Sequence, residues 1–257
     1  MTRNTRILMS ILYWAFVIYL FIPLITMVLM GFKDSMFIGF PIQSWTLKWY
    51  TDVIQDLEVL SIFGYSMLIA LSSTVIALMI GTWAAILLGP TKFRGKLIVF
   101  ALICLPAIIP GIISAIALRI FADTIRLNPG TLAIILSHTI HNVPFVVLVV
   151  IARLNSQPDS HIDASKDLGA DNLITFFRVT LPYLKPALIG ASIFCMLISF
   201  DDFVRSFFLG GYEPTLPVYI FSQLRTGMSP IINAISAVAL LITVIFGLFA
   251  ERIIRSD

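Results

Sequence analysis

The stretch that decides the fold is 163–182, DASKDLGADNLITFFRVTLP, a segment rich in acids, hydroxyls and amides inside an otherwise apolar chain. Apolar runs flank it at about 131–153 and 183–209. A segment this polar between two spans must leave the membrane, because hydrocarbon solvates neither charges nor free backbone groups. Its own chemistry predicts two short helices. Ser160-His161-Ile162-Asp163 fits a capping box, with Ser160 as the cap and Asp163 at the third helical position. Gly169 stands where the first helix should stop, and glycine adopts the left-handed geometry of a C-terminal cap without steric cost. Asp171 is placed to cap a second helix over Asn172 to about Thr180, and Pro182 marks the return to the membrane. The product is a compact knob. It is too polar to enter lipid and, with Ile162, Ala164 and Leu168, too apolar to be a solvated linker.

Outward from the knob, the chain is overwhelmingly apolar: of 257 residues 59% are hydrophobic and 12% charged, with a mean hydropathy of +0.99. A soluble domain carries about a quarter charged residues, so a cytosolic globular reading is excluded. Crossing about 30 Å of hydrocarbon takes roughly 20 residues, and six runs qualify, at about 7–31, 62–88, 97–122, 131–153, 183–209 and 231–253. The first follows Arg3 and Arg6, as a signal peptide would. It is too long, contains Pro23 and lacks a small-x-small cleavage site, and so reads as a retained helix. The expectation is an all-α integral membrane protein, with residues 1–257 forming a single transmembrane domain. Cys104 and Cys195 lie inside apolar runs and read as packing thiols. No phosphate-binding loop, nucleophile elbow or metal-ligand spacing occurs, so the chain is expected to be no enzyme and to bind no metal, cofactor or nucleic acid.

Basic residues set the orientation. Arg3, Arg6, Lys92, Arg94, Lys96, Arg153, Lys166, Arg178, Lys185, Arg252 and Arg255 fall at the N-terminus, in the second and fourth loops and at the C-terminus, eleven of the 17 in the chain. Lys33, Lys48, Arg126 and Arg225 fall on the other side, and Arg119 and Arg205 read as embedded. The excess of lysine and arginine on the cytoplasmic side of membrane proteins then places both termini and the loop 154–182 in the cytoplasm.

Other features bear on the path. Trp45, Trp49 and Tyr50 beside Lys48 predict an interfacial helix in the first outside loop, 32–60, whose acidic half (Asp52, Asp56, Glu58) suits docking of a soluble protein. Pro106 and Pro110, four apart, should kink or break the third span. His138 and His141 near one face of the fourth span, with Asn142, read as interhelical hydrogen bonding or path lining. Asn233, Ala234, Ser236, Ala237 and Ala239 in the sixth span suit close helix approach.

The knob resembles the EAA loop, E-A-A-x-x-x-G-x(9)-I-x-L-P, of the permease subunits of type I ATP-binding-cassette importers. Asp163 stands for the glutamate, Ala164 and Ser165 for the alanines, and Val179 for the isoleucine, while Gly169, Leu181 and Pro182 match outright. The resemblance implies a six-helix permease in a bacterial inner membrane. It would work beside a homologous permease, two ATPase subunits that bind ATP and Mg, and a periplasmic binding protein. The knob would fit a groove on the ATPase, with Asp163, Ala164, Lys166, Gly169, Leu181 and Pro182 as its contact or hinge residues.

Ser199-Phe200-Asp201-Asp202-Phe203-Val204-Arg205-Ser206-Phe207 further resembles the S-x-D-D-x-x-x-S-F segment of spermidine/putrescine-type permeases, most like the second of their two permease subunits. Leu47-Lys48-Trp49-Tyr50, Lys166-Asp167-Leu168-Gly169-Ala170, Thr215-Leu216-Pro217 and Asn233-Ala234 agree with it. Intramembrane carboxylates are functional candidates by default. Asp201 and Asp202 should lie about 27 Å up the fifth span, near its outer mouth. Arg205, four residues after Asp201, is expected to pair with it and leave Asp202 to line the path. Gly111 and Ile231 stand where the family often has acids, so a polyamine and an amino-acid-like zwitterion both remain open as substrates. An ion-gradient-driven secondary transporter is the reading from a different class.

Overall fold

The computed structural model describes residues 3–35, 39–89, 93–227 and 229–256. Lys92 and the side chains of Arg3 and Arg255 lie outside the described residues. The all-α expectation is met: among the described residues every regular element is helical, save one isolated bridge between Lys33 and Trp45. In chain order the helices are α1 (Arg3–Met30), α2 (Lys48–Gln55), α3 (Leu57–Leu88), α4 (Lys96–Ile108), α5 (Gly111–Thr124), α6 (Thr131–Leu154), α7 (Asp159–Asp167), α8 (Asn172–Thr175), α9 (Leu181–Phe200), α10 (Phe203–Leu209), α11 (Leu216–Thr226) and α12 (Pro230–Ser256). A π turn, Phe176–Thr180, joins α8 to α9. Among the described residues five helical runs are long and apolar enough to cross a membrane, and counting the bent pair of α4 and α5 as one broken span gives six.

That bend is 106° and has the cause expected from the prolines. Pro110 has no N–H to offer the carbonyl of Pro106, and it drives Ile109 out of helical geometry to φ −67°, ψ 131°. The fifth span departs from expectation. It was expected to run unbroken over 183–209, but helix continues only to Phe200, breaks at Asp201–Asp202 and resumes as the short α10. The Asp202 carboxylate accepts the backbone N–H of Arg205 at 2.9 Å, an N-cap that starts a new helix rather than propagating the old one.

The chain divides into two compact units. In the first (Met1–Ser61 with Tyr219–Thr243), α2 is the helix expected in the loop 32–60. It is pinned by Trp49 Nε1 donating to the Lys33 carbonyl at 2.7 Å and by the stacking of Phe32 and Tyr50. Ala234 and Ala237 of α12 are buried, as the small-residue pattern implied. Ile7, Trp14, Tyr19 and Phe21 of α1 are each more than half exposed. Water would not tolerate an apolar face of that extent, so lipid or protein covers it.

In the second unit (Ile62–Val218 with Val244–Asp257), α3 presents a stripe of buried small residues, Ser66, Ala70, Ser73, Ala77 and Ala85. Gly81 continues it, and a Cβ there would fall 2.6 Å from the Val146 Cβ. Backbones in lipid gain their attraction by such close approach. Ala77, Ala85, Val146, Val150, Leu184, Ala191 and Cys195 form the core between α3, α6 and α9. Cys195 is therefore the packing thiol expected of it.

Candidate functional site

Two constellations flank α9, one at each end. At its N-terminal end stands the knob. α7 begins at Asp159 behind Pro158, with no side-chain cap, so Ser160 is not the cap that the sequence suggested. The fixed φ of proline already sets the entry to the helix, and Ser160 lies within its first turn. Its end is as expected. Gly169 has φ 84°, its N–H meets the Lys166 carbonyl at 2.8 Å, and the Ala170 N–H meets the Ser165 carbonyl at 3.1 Å. Those two bonds form a Schellman motif. Asp171 caps α8 through the Ile174 N–H at 2.7 Å. Ser165 and Thr175 share a hydroxyl bond of 3.0 Å that folds α7 onto α8.

Asp163, Ala164 and Lys166 are exposed, and so are the apolar Leu168 (90%), Leu173 (65%) and Phe177 (58%). Phe176 stacks on Trp83 at 5.5 Å, and a polar knob that leaves Leu168, Leu173 and Phe177 in the open has the composition of a docking surface. Pro182 does not end a helix. Its missing N–H and its ring disfavour an ordinary α turn behind it, and the chain answers with the π turn, in which the Leu181 N–H reaches back to the Phe176 carbonyl. The root of the knob is closed. Arg153 lies over the Tyr183 ring at 4.1 Å and donates from Nε to the Tyr183 carbonyl at 3.2 Å, and Tyr183 Oη donates to the Ser156 carbonyl at 2.9 Å.

At the other end of α9 lies the break. Arg205 pairs with Asp202, not Asp201: Nη1 meets Asp202 Oδ2 at 2.6 Å, with the two side chains 6% and 7% exposed. The expected pairing assumed a continuous helix, whereas the break restarts the helical count at Asp202. Asp201 is exposed and makes no ion pair among the described residues. Arg119, expected as an embedded cation, is one-third exposed and neutralised by Asp123 at 3.1 Å.

Around the buried pair runs a polar network. Arg205 Nη2 donates to His141 Nδ1 at 3.0 Å, which makes that nitrogen an acceptor and places the proton of a neutral ring on Nε2. His138 Nδ1 meets Ser199 Oγ at 2.6 Å and its Nε2 meets Ser206 Oγ at 3.3 Å, while Ser199 Oγ meets Ser73 Oγ of α3 at 2.9 Å. Asn142 Nδ2 donates to the Cys195 carbonyl at 3.3 Å. The histidines thus serve the interhelical hydrogen bonding read from the sequence. Among the described residues no group of His, Cys, Asp and Glu is arranged to hold a metal ion.

The family model for the binding-protein-dependent transport system inner membrane component matches residues 77–256. The chain belongs to that family. It is 31% identical over 239 residues to the spermidine/putrescine transport system permease protein PotC of Escherichia coli K12, covering 92% of this chain and 90% of that protein. It is also 31% identical over 230 residues to the putrescine transport system permease protein PotI of the same organism, covering 86% and 82%. A bacterial ABC transporter involved in the import of the acidic polysaccharide alginate shares the fold, with a TM-score of 0.76 at 15% identity over 98% of this chain and 96% of that one.

As a binding-protein-dependent permease, the chain carries its polar groups in two places that sequence reasoning weighed unequally. Ser73 escaped notice because a single serine in an apolar helix looks like a packing residue, and Ser199 and Ser206, quoted as part of the S-x-D-D-x-x-x-S-F segment, carried no sign of their bonds to His138. The small-residue stripe of α3 and the i, i+4 pair His138–Asn142 were the available signals. Arg153 and Tyr183 were missed because cation–ring contacts leave no local pattern.

Proposed function

We propose that this permease subunit, one transmembrane domain over its whole length, forms half of the translocation path of a bacterial importer for polyamines of the spermidine and putrescine kind. A homologous permease would form the other half. Two ATPase subunits would bind ATP and Mg and drive the cycle, and a periplasmic binding protein would deliver the solute. Asp163, Ala164, Lys166, Gly169, Leu181 and Pro182 couple the ATPases to the membrane helices. The knob receives ATPase movement on its exposed face, and the Arg153–Tyr183 clasp passes it to α6 and α9. Both termini and the knob lie in the cytoplasm. A cysteine at Asp159 should then label only from that side and one at Glu213 only from outside; labelling of both from outside would overturn the orientation.

The observation that carries the substrate reading is the division of labour at the break. Asp202 and Arg205 neutralise each other in the interior, which leaves Asp201 as the exposed charge. A lone carboxylate favours a cation, and a zwitterion would find the Arg205 guanidinium already engaged. The relatives' names support the same substrate class. Asp201→Asn keeps shape and hydrogen bonding while removing the charge. At saturating loaded binding protein it should lower spermidine uptake about tenfold or more with normal membrane insertion. Unchanged uptake would remove Asp201 from the path.

A further inference from the structure

His138 is 1% exposed, and its two ring nitrogens serve opposite sides of one discontinuity. Nδ1 holds Ser199, two residues before Asp201 in the last turn of α9. Nε2 holds Ser206, four residues after Asp202 in α10. The same Nε2 lies 4.0 Å from Asp202 Oδ2. A neutral imidazole donates from one nitrogen and accepts at the other, and a serine hydroxyl does either, so both bonds form in either tautomer. Ser199 is held from behind by Ser73 of α3. The second histidine, His141, fixes Arg205 and through it the cap of α10. In apolar surroundings such bonds have few competitors, so the ring fixes the near end of α10 against α9, while Leu209, packed on Ile69, Ala115 and Ile134 and bonded through its carbonyl to the Gly130 N–H at 2.9 Å, holds the far end. The backbone constrains the joint only weakly: Asp201, at φ −95° and ψ 2°, and Asp202, at φ −74° and ψ 90°, are bridged by a 3.4 Å bond from the Asp202 N–H to the Ser199 carbonyl and a 2.9 Å bond from the Phe203 N–H to the Asp201 carbonyl.

We propose that His138 is a positioning residue that staples α9 to α10 across the Asp201–Asp202 break and thereby aims the Asp201 carboxylate at the path. The second half of that statement rests on the reading of Asp201 as the substrate-facing charge. The staple itself does not.

The test uses the whole transporter in membrane vesicles, with spermidine as the probe. Spin labels at the half-exposed Phe194 of α9 and Phe207 of α10 report the distance across the break by pulsed electron paramagnetic resonance. His138→Leu should turn a narrow distance distribution into a broad one; a distribution as narrow as wild type would overturn the staple. Where His138→Leu inserts poorly, Ser206→Ala removes only the α10 arm and is judged by the same measurement. Uptake is then compared in a double-mutant cycle. His138→Leu should cost about tenfold in the native background and less than about twofold once Asp201 is Asn, because residues that act through one another are not additive. A broad distribution with fully additive losses would overturn the positioning of Asp201. A broad distribution together with an inert Asp201→Asn would uphold the staple and defeat the substrate reading alone.

Discussion

The two ends of α9 handle polar residues in opposite ways. At the knob, polar groups face outward and the order comes from local backbone chemistry: a left-handed glycine, an aspartate cap, a proline that widens a turn. At the break, polar groups face inward and, beyond the local Asp202 cap and its pairing with Arg205, the order comes from partners on α3 and α6, far away in sequence. A surface built from local rules tolerates exchange of most of its side chains but not of its turn. An interior built from mutual bonds tolerates the loss of no single charged partner. The contrast is that between an exposed surface and an interlocked interior.

The sharpest way to break this contrast is at the buried pair. Asp202→Asn retains the cap on the Arg205 N–H but strands a guanidinium in the interior, and Arg205→Leu strands a carboxylate. Each should cost about 3–5 kcal/mol of stability, read as a lowered Tm of the purified complex. The double change Asp202→Asn with Arg205→Leu should recover most of it, while Asp201→Asn next door should leave Tm unmoved. Equal losses at Asp201 and Asp202 would erase the distinction between the neighbours.

The next effect belongs to the knob. Gly169→Val places a β-branched side chain at φ 84°, a local penalty of about 1–2 kcal/mol, whereas Gly169→Asn tolerates that region better. Membrane insertion and Tm should hold for both, and ATP-driven uptake should fall far more for Val than for Asn. Uptake at the native ratio to hydrolysis in the Val variant would detach the knob from coupling. The smallest effect is expected at the root. Tyr183→Phe removes the bond to the Ser156 carbonyl but keeps the ring under Arg153. It should cost about 0.5–1.5 kcal/mol and lower uptake slightly.

Legibility in the sequence follows the same line. Gly169, Asp171 and the Pro106–Pro110 pair were readable because each acts on its own few residues of backbone, and those expectations hold. Ser160 was misread for an equally local reason, since Pro158 two residues ahead already fixes the start of α7. Asp201 was assigned to Arg205 because i, i+4 spacing presupposes an unbroken helix, and the residue that ends the helix is Asp202 itself. The ring from Ser73 through Ser199 and His138 to Ser206 is invisible to any window along the chain. Its members sit on α3, α9, α6 and α10 and meet only in the packed bundle.

The π turn at Phe176–Thr180 has a further geometric consequence. It holds one residue more per bond than the α turns on either side. Were that surplus to relax to α pitch, α9 would revolve by about 100° around its own axis and advance by about 1.5 Å along it. All twenty residues of α9 would revolve together, carrying the motion about 30 Å to the carboxylates at its far end. In such a part, a force applied at the knob would be delivered as a screw rather than as a lever.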